Sequence, residues 1–194
     1  MKSQIFILLS IIFFLVGCKL KSGKIENYDN SNCEKPKYAN KYSLPNDILV
    51  YYDYNQGLKC AKQKNKPVFL TFTAYNSVSC KKFLFKNWLN NADIHQILKK
   101  NYVVIALYVD EKSKLDSNEF YISKYSHKQI ETVGGKNSDY QISRFQNNSQ
   151  PFSVVLDTNG NKLLEALAYT PNDNEIIEFM KNGIVEYKKT NANK

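Results

Sequence analysis

Val68-Phe69-Leu70-Thr71-Phe72-Thr73, and after a three-residue gap Ser77-Val78-Ser79-Cys80-Lys81-Lys82, set a strand directly before a helix. The first six residues are aliphatic, aromatic or β-branched, a compact run that reads as a buried strand. From Ser79 to Asn90 the pattern turns helical, with Phe83, Leu84 and Trp88 among the apolar positions. On the N-terminal side, Asn55 to Asn65 predicts a short helix with Tyr54, Leu58 and Ala61 on one face, ended by Lys66-Pro67. On the C-terminal side, Ala92 to Lys100 is helical, striped by Ile94, Ile97 and Leu98. Tyr102 to Val109 is then a nearly continuous apolar run suited to a central strand.

Residues 110 to 136 are mixed and closed by Gly134-Gly135. Ser138 with Gln141 forms a capping box that predicts a helix opening there and running to about Phe145. Pro151 introduces a strand from Phe152 to Asp157; Asp157-Thr158-Asn159-Gly160 turns the chain, and Lys162 to Ala168 pairs back as a hairpin. Thr170-Pro171-Asn172-Asp173 predicts a helix start with a Thr cap and Pro at the first helical position. Ile176, Ile177, Met180, Ile184 and Tyr187 continue at helical spacing, and Lys188-Lys189 suits the negative end of the helix dipole. The order of elements predicts an α/β fold, a mixed sheet with helices on both faces, in one domain over residues 47–194.

The chain has 194 residues, 43% of them hydrophobic, enough for one core; Gly and Pro are too scarce for a fibrous or low-complexity protein. Its formal net charge of +9 lies mostly at the edges: residues 19–46 hold six Lys against three acids, and residues 181–194 four Lys against one. The compact middle is nearly neutral and Arg144 is the only arginine. A nucleic-acid binder concentrates charge on a folded face and favours Arg, so no nucleic-acid partner is expected.

Met1-Lys2-Ser3-Gln4 is a short basic segment, followed by Ile5 to Val16, twelve residues interrupted only by Ser10. That is short of the ~20 apolar residues a bilayer span needs and suits the core of a signal peptide. Leu15-Val16-Gly17-Cys18 resembles the lipobox of bacterial lipoproteins. The resemblance implies a signal peptide over 1–17, cleavage before Cys18 and acylation of its thiol, so that lipid holds the chain to the membrane. Residues 18–46 then read as a flexible tether. Lys19-Leu20-Lys21 offers no acid after the lipid site, and the expected location is the cell envelope, facing the periplasm, where disulfides persist.

Asp53-Tyr54, Lys66-Pro67-Val68, Phe72-Thr73, Cys80-Lys81-Lys82, Trp88, Leu107-Tyr108-Val109-Asp110, Arg144-Phe145 and Gln150-Pro151, in that order and spacing, resemble the C-terminal thioredoxin-like domain of the DsbD-type thiol:disulfide interchange proteins. The likeness spans roughly residues 47 to 187. It implies a thioredoxin-like fold, a cis peptide bond before Pro151, and a groove in which Gln150 and Pro151 meet an extended substrate peptide. The family's chemistry uses Cys-x-x-Cys at the start of the helix after the first core strand. The outer thiol ionises and attacks, and the inner one displaces the mixed disulfide. Here the outer position is Ser77 and only the inner Cys80 remains. A serine hydroxyl cannot form a disulfide, so no internal dithiol couple is expected. The family's usual acids are also replaced, by Thr71 in the strand and Leu84 in the helix, which removes the groups that move protons during exchange.

Cys80 therefore admits two readings, a single-thiol site for mixed disulfides or a buried small hydrophobe. The corresponding functions are a thiol–disulfide interchange protein that meets periplasmic protein thiols, and a non-catalytic module for extended peptides or a partner protein. Cys33 in the tether and Cys60 on the flank of the first helix, off its stripe, are a possible disulfide that would pin the tether to the domain. Pairing of Cys60 with Cys80 is disfavoured, because in a thioredoxin fold the two lie on opposite faces of the sheet. His95 reads as exposed, and neither it nor His127 has metal-ligand spacing. No metal site and no cofactor are expected.

Overall fold

The computed structural model describes residues 33–37, 47–84, 88 and 90–192. The expected signal peptide over 1–17, the lipid site Cys18 and most of the expected tether lie outside the described residues. The elements in chain order are β1 Val50–Tyr51, α1 Tyr54–Lys64, β2 Val68–Thr73, α2 Val78–Lys82, α3 Ala92–Asn101, β3 Val103–Tyr108, β4 Tyr121–Ile122, β5 Gln129–Ile130, α4 Val133–Phe145, β6 Phe152–Leu156, β7 Leu167–Ala168 and α5 Asp173–Ala192. Five strands form one sheet in the order β1-β3-β2-β6-β7, parallel from β1 through β2 and antiparallel from there on; β4 and β5 pair separately. This is a thioredoxin-like arrangement.

β2 and β3 are buried at every residue, because the sheet is covered on both sides and alternate side chains feed opposite cores. Val68, Leu70 and Phe72 join Ile105, Leu107, Val154 and Ala61 on the face covered by α1 and α4. Phe69, Val104 and Val155 face the other way, towards Phe83, Leu84, Trp88, Ile94, Leu98, Ile176 and Met180. The Phe69 ring meets Trp88, Tyr102 and Phe179 edge-on, with centroids 5.8–6.2 Å apart.

Two predicted helix starts are corrected. α4 opens at Val133 rather than Ser138, with Thr132 as its cap and the Thr132 hydroxyl accepting from the Gly135 N–H at 3.1 Å. Gly134-Gly135 is inside the first turn because the helix crosses a loop there. A Cβ on Gly134 would stand 2.5–2.7 Å from backbone atoms of Glu111 and Val109, so the close approach requires glycine. α5 opens at Asp173, leaving Pro171 outside; the Asn172 side chain accepts from the Asn174 N–H, and Thr170 instead accepts from the Asn172 N–H. The expected pairing of Lys162 to Ala168 is interrupted. Leu156 bridges Lys162, and regular pairing resumes at Leu167–Ala168 against Phe152 and Ser153.

His95 is also corrected, since its side chain is only 17% exposed and is engaged at both ring nitrogens, 3.0 Å from the Trp88 carbonyl and 2.7 Å from Asp47. Burial pushes the Asp47 carboxyl up, but the hydrogen bond and charge of His95, with Lys99 at 3.4 Å, outweigh it and hold the group below the usual carboxylate range. A depressed carboxylate contributes stability above its unfolded value of about 3.9 and loses it as pH falls through the folded value. Asp47→Asn is thus expected to lower stability at neutral pH and to leave it unchanged in strong acid. Asp47 is half-exposed, so the neutral-pH loss should stay under about 1 kcal/mol, read from urea midpoints.

Candidate functional site

Ser77 is the cap of α2, its hydroxyl accepting from the Cys80 N–H at 3.2 Å. Ser77 and Ser79 are half-buried and Val78 is 67% exposed, while Cys80 turns inward and is 0% exposed. It is the free cysteine of the described residues. The next apolar side chains of the same segment, Phe83 and Leu84, enter the core on the Phe69 face, which fixes the face that α2 covers.

The loop before α2 is held by β3's extension. Asp110 accepts from the backbone N–H groups of Tyr75 at 2.9 Å and Asn76 at 3.1 Å, and the Tyr75 hydroxyl donates to Glu111 at 3.0 Å. The Tyr75 ring stacks on Tyr108 with centroids 4.1 Å apart. Burial, with the Cys80 sulfur and Asp110 nearby, pushes the Tyr108 phenol up to about 12. The Cys80 sulfur, on α2, therefore lies near the Tyr108 phenol at the end of β3.

The Gln150-Pro151 bond is cis. Register places it: Phe72 opposes Phe152 and Thr73 opposes Tyr108, so Pro151 leads into β6 at the end of β2 from which the chain runs on to Ser77. Topology thus brings the Ser77–Cys80 turn and the Gln150–Pro151 loop to one end of the sheet. The loop is fixed from α4. Gln141, fully buried, donates to the Ser149 carbonyl at 2.8 Å and accepts from the Gln150 side chain at 2.8 Å.

Neither position at which an acid was looked for can supply a proton. Thr71 is fully buried and accepts from the Ser153 hydroxyl at 3.2 Å; Leu84 is packed in the core. Thr73, two residues on along the same sheet face, has a buried hydroxyl with no partner among the described residues. The roles of Asp110, Glu111 and Gln141 were missed in the sequence, although Asp110 stood in the quoted pattern. Each acts through contacts across 8 to 36 residues, which no local spacing reveals.

Cys33 and Cys60 are joined by a disulfide. Cys60 is 2% exposed, where a position off the helix stripe was expected, because the 33–37 segment lies over that flank. Gln56 accepts from the Lys37 N–H and donates to the Lys35 carbonyl, both at 2.9 Å, and Lys59 pairs with Glu34 at 2.5 Å. Cys60 belongs to the core on the α1 face, across the sheet from the core entered by α2. Among the described residues no group of His, Cys, Asp and Glu could hold a metal ion, and no helix is long and apolar enough to cross a membrane.

Residues 54–183 match the family described as thioredoxin-like domain. Among solved structures, the chain resembles a DsbH oxidoreductase with 15% identity and a TM-score of 0.52, over 79% of this chain and 92% of that one. It resembles a thioredoxin from Thermus thermophilus with 16% identity and a TM-score of 0.51, over 75% and 91%. The oxidised C-terminal domain of DsbD from Neisseria meningitidis aligns with 17% identity and a TM-score of 0.44, over 66% and 90%. No curated protein matches the sequence. At such identities the structural likeness is one of fold.

Proposed function

The chain belongs to the thioredoxin-like domain family, and on that premise we propose that it serves thiol–disulfide interchange in the cell envelope, held to the membrane by lipid on Cys18 and facing the periplasm. Its partners are protein thiols or extended peptides, received between the Ser77–Cys80 turn and the Gln150–Pro151 loop, without cofactor. Ser77 stands where the attacking cysteine would be, and Cys80 is the one thiol of the site. The observation that carries this reading is the cap geometry: a serine oxygen 3.2 Å from the Cys80 nitrogen, at a helix start on the same end of the sheet as a cis proline.

A single thiol limits the chemistry. Cys80, as thiolate, can displace one sulfur of a partner disulfide; a Cys80–partner bond forms, the partner's S–S bond breaks, and its other sulfur leaves as a thiol after taking a proton. Ser77 cannot complete the cycle, so release requires an external thiol. Thr71 and Leu84 offer no proton acceptor, which slows the step further.

The complete burial of Cys80 favours a second reading, a non-catalytic module that holds extended peptides against Pro151. Incubation of the full chain with oxidised glutathione, and separately with a cysteine-free extended peptide, separates them. Interchange predicts a glutathione adduct on Cys80, found by peptide mass spectrometry and absent from Cys80→Ala. Peptide binding that survives Cys80→Ala, with no adduct on the wild type, supports the holding module instead. Neither adduct nor binding contradicts both.

A further inference from the structure

On the sheet face opposite α2, a cleft of about 350 Å³ opens between the start of α1, α4 and the β4–β5 insertion. Leu107 near the end of β3, and Tyr52 just after β1, line it, so it lies against the carboxyl-terminal parts of two parallel neighbours. We propose that this cleft binds a small organic cation of the quaternary-ammonium type.

The walls carry four tyrosines, at positions 52, 54, 121 and 140. The rings of Tyr54 and Tyr140 lie 4.7 Å apart at 43°. Burial, and then Asp139, push the Tyr121 phenol up to about 12, and burial and the Tyr54 hydroxyl push Tyr140 higher. Tyr121 and Tyr140 therefore stay neutral, and with Tyr52 and Tyr54 they give the walls aromatic surface, which attracts a cation whose hydration is weak.

The charge pattern selects the sign of the ligand. The lining has two ammonium groups, Lys37 and Lys136, against three carboxylates, Asp53, Glu119 and Asp139. Glu119 closes on Lys136 at 2.9 Å, and Lys37 also lowers its proton affinity, so the two cations already share an anion. Asp53 caps α1, accepting from the Gln56 N–H at 2.8 Å. Asp139 differs. Its oxygens accept from the hydroxyls of Tyr121 and Ser123, and it forms no ion pair among the described residues. Hydroxyl groups orient a carboxylate without cancelling its charge, so a half-buried negative charge in a tyrosine-lined cleft is left for a ligand to balance.

The test is a titration of the ¹⁵N-labelled full-length protein with choline chloride at constant ionic strength, against 3,3-dimethylbutanol, its uncharged isostere. Saturable amide shifts around residues 119–121 and 137–140 are expected, with the isostere at least about threefold and up to about thirtyfold weaker. Asp139→Asn should weaken choline binding. Lys37→Gln, which leaves the backbone bond to Gln56 in place, should strengthen it because a repelling charge is gone. Cys80→Ala should bind as the wild type does, which keeps this outcome separate from the interchange reading. No saturation by about 100 mM choline, equal affinity for the isostere, or weaker binding by Lys37→Gln would overturn the proposal.

Discussion

Replacing Cys33 and Cys60 together by alanine is expected to lower the unfolding free energy by about 3.5 kcal/mol, the largest stability change of any substitution considered. The bond closes a 27-residue separation, and the chain-entropy relation gives that magnitude for the freedom it removes from the unfolded chain. The 33–37 segment would also lose its covalent anchor, leaving the Gln56 bonds, the Tyr51 hydroxyl's bond to the Glu34 carbonyl and the exposed Lys59–Glu34 pair to hold it. For a chain of this size the thermal midpoint should fall by roughly 7–14 °C. Urea unfolding of the double variant, and of the wild type under dithiothreitol, checks the expectation. Matching midpoints for oxidised wild type, reduced wild type and variant would show that the bond contributes nothing.

Ser77→Cys is expected to have the largest effect on activity: with dithiothreitol as the reductant that restores the 77–80 dithiol after each cycle, the variant should reduce a protein disulfide faster than the wild type does. The two positions span the first turn of α2, with the outer one at its cap and half-buried and the inner one shielded. A thiolate at that outer place is favoured by the helix N-terminus, and Cys80 is within the same turn to displace the mixed disulfide. The substitution loses the Ser77 cap, which costs about 1 kcal/mol. After mild oxidation the peptide carrying both residues should be two hydrogens lighter. Turnover should remain modest, since Thr71 and Leu84 still provide no proton acceptor. Two free thiols persisting at 77 and 80 under oxidising conditions would count against the placement of the site.

The parts of this fold that were legible in the sequence are those written in short range. β3 is an unbroken apolar run and β2 is one interrupted only by the β-branched Thr71 and Thr73, because both their faces are covered, and α1, α3 and α5 carry their stripes at helical spacing. β1 is two residues long and was passed over, although Ile48-Leu49-Val50-Tyr51-Tyr52 around it is an apolar, β-prone run. The start of α4 was misplaced because Gly134-Gly135 reads as a terminator unless the crossing at Val109 and Glu111 is known. The site divides the same way. Ser77, Cys80 and Pro151 were found from spacing and resemblance, whereas the clamp of Asp110 on Tyr75 and Asn76, the Gln141–Gln150 contact and the Thr71–Ser153 pair join distant segments. The tyrosine-lined cleft was invisible for the same reason, since its walls come from α1, β3, α4 and the insertion between them.

Site-resolved alkylation of Cys80 by iodoacetamide, timed in native buffer and in denaturant and read on the Cys80 peptide, bears most directly on the claim that this thiol is the shielded inner member of an incomplete pair. A sulfur with no exposed surface beneath a capped helical turn should label in denaturant at least about a hundredfold faster than in the folded protein, since reaction awaits an opening that costs several kcal/mol. Equal rates in both conditions would mean that Cys80 lies open to solvent, and the account would be wrong at its centre.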